Sequence, residues 1–194
     1  MIEEIKLSED YTIYKSKYQG LYSKEDFLAA VELNKRFASG TENNSVWIEV
    51  EDQRFQSINN LIRSSIESIS STKFKTSASH YWIYTQTEGF NIEWMHQHIL
   101  VHPDSRSNIR TDYTFTFYIQ TPKDISGDEG YIVFEDENKN RHKFLPNEGD
   151  IFIFPGDIRH TAIPTPKSKT DRIVYAGSIC MDVLNQKDYK KTAI

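Results

Sequence analysis

Only one of the 194 residues is a cysteine, Cys180, so no intrachain disulfide can form. A reducing, cytoplasmic setting is the simplest expectation. No apolar run approaches the roughly 18 residues that mark a membrane-spanning helix. The opening MIEEIKLSED is acidic and has no apolar stretch of the kind a secretory signal carries. Basic residues are also few: 23 Lys and Arg against 28 Asp and Glu leave a net charge of -5. Without a basic face to neutralise phosphates, a nucleic-acid partner is not expected. Internal repeats and low-complexity linkers are missing too, and the length suits one domain with a sizeable core.

Aromatic residues, by contrast, are plentiful. Eleven Tyr, eleven Phe and three Trp point to β-rich packing. The first third is mixed. SKEDFLAAVELNKRF reads as a helix with Ser23 as N-cap and with Phe27, Ala30, Val31 and Phe37 near one face. SVWIEV, Ser45 to Val50, reads as a short strand. Phe55, Ile58, Ile62, Ile66 and Ile69 recur at helical spacing. After about Ser77 the pattern changes to short β-branched or aromatic runs punctuated by Gly, Pro, Asn and Asp: HYWIYTQ, IEWMHQHILV, YTFTFYIQTP, GYIVFED, RHKFLP, GDIFIFPG and RIVYAGSICMDV. Such spacing predicts a sandwich or jelly roll. The expected fold is mainly β (α+β). A double-stranded β-helix core over 78–184 is buttressed by helical and strand support from 1–77 and followed by a tail, 185–194, all within a single domain.

The segment MHQHILVHPD concentrates three of the six histidines. If it is extended, Trp94, His96, His98, Leu100 and His102 share one face, and Asp104 joins them if the strand continues past Pro103. An imidazole and a carboxylate two residues apart can occupy adjacent positions on a metal ion. His160, just past the Pro-Gly turn of GDIFIFPGDIRH, can supply the third ligand. Two histidines and one carboxylate on one face of an ion leave three positions open, as in non-haem Fe(II) oxygenases. A keto acid filling two of them needs a cation for its far carboxylate inside an apolar barrel. Arg172, at the head of RIVYAGSI, fits that need, because a guanidinium fork matches a carboxylate. Tyr118, in YTFTFYIQ, is the candidate hydroxyl beside it.

Together, His102-Pro103-Asp104, YTFTFYIQ, SGDEGYIVFED, GDIFIFPGDIRH and Arg172 resemble the 2-oxoglutarate- and Fe(II)-dependent oxygenases, in particular the prolyl-hydroxylase-like branch. They occur in that family's order over roughly residues 90–182. The resemblance implies Fe(II) at His102, Asp104 and His160, and 2-oxoglutarate with its distal carboxylate on Arg172 and Tyr118. It also implies a reaction with dioxygen that releases succinate and carbon dioxide while hydroxylating a C–H bond. The substrate would be a protein side chain, an amino acid or a small molecule.

Two other readings of these residues stay open. His96 and His98 could be the ligands instead, with Gly149, Pro155 and His160 resembling the second half of a cupin pattern. A cupin-type metalloenzyme would use no 2-oxoglutarate, and it has no need of a buried cation at Arg172. A non-enzymatic jelly-roll module would need no metal. On the first reading, His96 and His98 support the site from the same face. His80 and His142 read as structural, Cys180 as buried, and the acidic stretch Glu135 to Asn140 as a hairpin tip. Segments 86–93, 104–112 and 121–129 are candidates for a lid, and Arg106 and Arg110 for contact with an anionic or peptide substrate. Oligomeric state has no signature here.

Overall fold

The computed structural model describes residues 2–18, 20, 22–35, 45–48, 52–71, 74–90, 93–101, 108–110 and 112–183. Twelve strands and two α-helices are present among them, and every strand pairing is antiparallel. The strands are β1 (Glu3–Lys6), β2 (Thr12–Lys17), β3 (Ser45–Ile48), β4 (Phe74–Gln86), β5 (Ile99–Val101), β6 (Asn108–Arg110), β7 (Tyr113–Gln120), β8 (Ile132–Glu135), β9 (Arg141–Phe144), β10 (Asp150–Pro155), β11 (Arg159–Ala162) and β12 (Arg172–Val183). The helices are α1 (Lys24–Lys35) and α2 (Gln56–Ser70). None is long and apolar enough among the described residues to cross a membrane as a helix.

A seven-stranded sheet in the order β1-β2-β10-β7-β12-β4-β3 faces a three-stranded sheet β11-β8-β9, with β5-β6 as a separate ribbon. The large sheet is sided because successive side chains point to opposite faces. Phe115, Phe117, Ile151, Ile153, Ile173 and Tyr175 turn toward the helices and pack with Phe27, Phe55, Ile58, Ile62 and Ile66. Tyr118, Phe152, Phe154, Val174 and Ala176 turn the other way, onto Ile132 and Phe134 of the small sheet. Three layers result, helices on sheet on sheet, and the second interface is the inside of the jelly roll.

The helices form where the pattern predicts. Ser23 Oγ accepts from the backbone N–H of Asp26 at 3.1 Å, capping α1. Asp52 caps the 3-10 turn Gln53–Phe55 that leads into α2. The isoleucine stripe of α2 is its buried face. The N-terminal third supplies strands as well as helices, as expected. The β1–β2 hairpin joins the large sheet on β10, with Ile153 opposite Tyr14. The acidic tip is a hairpin turn, as expected. The Asp136 carboxylate takes N–H groups of Asn138 and Asn140 and faces His142 Nε2 at 3.1 Å. These bonds outweigh the burial that pushes the carboxyl upward and hold it at about 2. His142 is thereby tied to the turn, and Cys180 is buried.

Candidate metal centre

Three imidazoles meet at one end of the jelly roll. His160 lies on β11, where it pairs with Phe134 of β8 on one side and forms an isolated bridge with His96 on the other. That bridge is made by two backbone bonds, His96 N–H to His160 O at 2.9 Å and His160 N–H to His96 O at 2.8 Å. His98 is anchored separately, its N–H donating to Gly156 O at 3.0 Å in the Pro-Gly turn. The ring of His98 lies 5.3 Å from Trp82 of β4, and that of His160 lies 4.7 Å from Phe154 of β10. Both strands therefore contribute walls.

One ligand nitrogen from each of His96, His98 and His160 lies within 4.8 Å of the others. Nε2 of His98 is 3.3 Å from Nε2 of His160. Imidazoles at right angles on one ion, with bonds of about 2.1 Å, sit about 3 Å apart. This pair is therefore close to ligating distance. The tautomers agree. His96 Nδ1 is 2.8 Å from Trp94 O and His160 Nδ1 is 3.1 Å from Ile158 O. Each Nδ1 must carry the proton that such a carbonyl accepts, which leaves both Nε2 lone pairs free for a metal. Burial and the neighbouring His96 lower His98 to about 4. Burial, with His98 and His96 nearby, takes His160 well below the usual histidine range against the pull of the Ile158 carbonyl. Both rings are held neutral, the form that binds metal. Three nitrogen donors of this kind suit Fe(II), Zn(II) or Cu(II).

Arg172, 1% exposed and the first residue of β12, is buried beside Tyr118 of the same interior. Its Nη2 donates to Tyr118 Oη at 3.2 Å and its Nη1 lies 3.4 Å from Ile163 O. Its Nε has no hydrogen-bond partner, and no ion pair joins it to a carboxylate among the described residues. Tyr118 is buried beneath the guanidinium, and burial raises its hydroxyl above the ordinary tyrosine value, so it stays protonated and able to donate. A buried cation with a free N–H and a neighbouring hydroxyl is a receptor for an anion, because leaving it unpaired is costly.

Of the residues singled out in the sequence, the structure brings together His160, Arg172 and Tyr118 on the interior face. His102 and Asp104 lie outside the described residues, as does Arg106. Of His96 and His98, expected as supporting residues, His98 points Nε2 at His160 and His96 brings a ligand nitrogen within 4.8 Å of both. Their spacing of two on an extended segment was the available signal. Two of the three candidate lid segments, 86–93 and 121–129, are both tied to the loop before β12, through Ser168 and Lys169. Asp124 accepts from Ser168 Oγ at 2.6 Å and from the N–H of Lys169 at 2.9 Å, and the Lys169 ammonium pairs with Glu88.

By sequence, neither a family model nor a curated protein matches. Solved structures do. A viral collagen prolyl hydroxylase from Paramecium bursaria Chlorella virus-1 matches over 87% of this chain and 90% of its own, with TM-score 0.58 and 16% identity. A non-haem alpha-ketoglutarate-dependent carbocyclase of nogalamycin biosynthesis matches over 88% and 79%, with TM-score 0.61 and 11% identity. A prolyl hydroxylase from Trichoplax adhaerens, solved with a hypoxia inducible factor peptide fragment, matches over 86% and 82%, with TM-score 0.53 and 14% identity. The chain thus has the jelly-roll fold of the 2-oxoglutarate- and Fe(II)-dependent oxygenases, in the form found in prolyl hydroxylases.

Proposed function

We propose that this protein is a 2-oxoglutarate- and Fe(II)-dependent oxygenase whose metal is held by His96, His98 and His160. The observation that carries the reading is Arg172. A guanidinium buried inside the jelly roll with an unpaired Nε makes sense when an anion is to be bound there. Fe(II) with 2-oxoglutarate and dioxygen supplies an oxidative decarboxylation, to succinate and carbon dioxide, coupled to oxidation of a C–H bond.

The chain's own residues divide the remaining work. His96, His98 and His160 would hold the metal from one side and leave room for the keto acid, dioxygen and substrate on the other. Arg172 binds the far carboxylate of the keto acid, and Tyr118 donates its hydroxyl proton to the same group. Phe154 and Trp82 hold the rings of His160 and His98 in an apolar wall that excludes water. Imidazole ligands carry no negative charge, so the metal they hold would keep its full charge and would favour the dianionic keto acid. The substrate is a peptide or a small molecule presented at the open face. The related fold solved with a peptide fragment supports the peptide end of that range.

The rival ligand set is His102 and Asp104 with His160, in the pattern of two histidines and a carboxylate. An anaerobic Fe(II) titration with and without 2-oxoglutarate distinguishes the two through the visible charge-transfer band of an iron–keto-acid chelate. Wild type is expected to show the band, His98→Ala to lose it, Arg172→Ala to weaken it and Asp104→Ala to keep it. Loss of the band in Asp104→Ala with retention in His98→Ala moves the ligands to the His102–Asp104 pair. Iron binding without any band in wild type favours a cupin-type enzyme, which the His-x-His spacing with Gly149, Pro155 and His160 would suit.

A further inference from the structure

Gln86 is the last residue of β4 and stands directly opposite Arg172 in the β4–β12 register. It is 1% exposed. Its Nε2 donates to Tyr84 Oη at 3.2 Å, while its Oε1 has no hydrogen-bond partner. Arg172 Nε is likewise unpaired. Two adjacent strands thus set a residue with an orphaned amide oxygen directly opposite one with an orphaned guanidinium N–H, both buried. Each carries the desolvation cost of a buried polar group left unmade.

We propose that Gln86 is the third hand of the keto-acid site and selects a keto acid with a far carboxylate. The inference rests on the reading of the protein as a keto-acid-dependent oxygenase. A carboxylate set between the two side chains accepts from Arg172 Nε. Turning the Gln86 amide over then aims Nε2 at the same carboxylate and places Oε1 on Tyr84. The Tyr84 hydroxyl can accept from Nε2 or donate to Oε1, so it holds the amide in either orientation. Burial keeps that phenol protonated, and so able to donate. Every orphaned atom of the pair gains a partner, and none is lost. A keto acid without a second carboxylate satisfies none of them.

The test is calorimetric titration of the anaerobic Fe(II) protein with 2-oxoglutarate and, separately, with 2-oxobutyrate, which lacks the far carboxylate. Wild type, Gln86→Leu, Gln86→Glu and Tyr84→Phe are compared, with Fe(II) uptake of each variant measured beforehand. Gln86→Leu is expected to weaken 2-oxoglutarate about tenfold or more, the loss of one hydrogen bond to a charged group, and to leave 2-oxobutyrate unchanged. Gln86→Glu should weaken 2-oxoglutarate further, because its own carboxylate pairs with Arg172, and should raise the melting temperature of the ligand-free protein. Tyr84→Phe, a small change that leaves the fold intact, should weaken 2-oxoglutarate a few-fold. Wild-type affinity for 2-oxoglutarate in the variants overturns the role of Gln86 alone, as does an equal loss for both keto acids. Absence of 2-oxoglutarate binding by the wild type overturns the oxygenase reading itself, and this inference with it.

Discussion

His98 and His160 point Nε2 at Nε2 across 3.3 Å, in a wall made by Trp82 and Phe154. With His160 Nδ1 committed to a carbonyl, only one of the facing atoms bears a proton while both rings are neutral, and a second proton there would set two N–H groups against each other and make His160 a buried cation. The sign of the pH response follows. His98 titrates near 4 in the fold and near 6.5 when unfolded, so between these values the unfolded chain binds more protons and stability rises with pH. Its contribution is complete above about 6.5 and is lost as pH falls toward 4. Urea midpoints of the metal-free protein should therefore drop between pH 7 and 5, by on the order of 2 kcal/mol at pH 5 from His98. His98→Gln should reduce this dependence and leave the part that His160 contributes through its burial. Adding Zn(II) at pH 7 should raise the midpoint, and a chelator should reverse the rise.

Arg172 predicts an opposition between stability and ligand binding. Replacing it by Met keeps much of the volume and removes a buried cation with an unpaired Nε. Thermal unfolding of metal-free Arg172→Met should be shifted upward, equivalent to about 1–3 kcal/mol. The same variant should lose the stabilisation that 2-oxoglutarate gives the Fe(II)-loaded wild type. A destabilised Arg172→Met would count against a site strained for binding.

Gly177 lies in β12 where Tyr81 and Phe115 close over the strand. An added Cβ would meet Phe115 Cε1 at 2.5 Å and come closer still to Tyr81 Cδ1. Gly177→Ala should lower the urea midpoint by about 1–3 kcal/mol through overpacking. Because this face looks toward the helices, the affinity of the folded variant for Fe(II) should be unchanged, which equilibrium dialysis can check.

Tyr175 Oη donates to Asn59 Oδ1 at 2.9 Å, joining the centre of β12 to α2. Tyr175→Phe leaves a buried amide oxygen without that donor and should cost about 1–3 kcal/mol in thermal or urea unfolding. Restoring an apolar partner with Asn59→Leu in the same chain should recover part of the loss, as a double-mutant cycle would show.

Much of this architecture is legible in the sequence because it is local. The isoleucine spacing of α2, the Ser23 cap, and the aromatic runs that become β7, β10 and β12 each announce themselves within a dozen residues. The β1–β2 hairpin was not legible as part of the large sheet, since its partner β10 lies far along the chain and no short-range pattern encodes that pairing. Arg172 was readable as a charge opening an apolar strand. Gln86 was not, because a glutamine at a strand end looks like any polar boundary residue until Arg172 stands opposite it. The His96–His160 pairing needed the third dimension for the same reason. A backbone bridge brings His96 level with the distal ring, and no short-range pattern encodes it.

Strand β12 keeps two kinds of position apart by parity alone. Residues 173, 175 and 179 face the helices, whereas 174 and 176 belong to the jelly-roll interior that begins at Arg172. A library of variants can exploit this separation. Diversifying even positions reshapes the interior beside Arg172 and its packing on the small sheet, and diversifying odd positions tunes the seam with the helices. One stretch of chain thereby offers two independent axes for directed evolution.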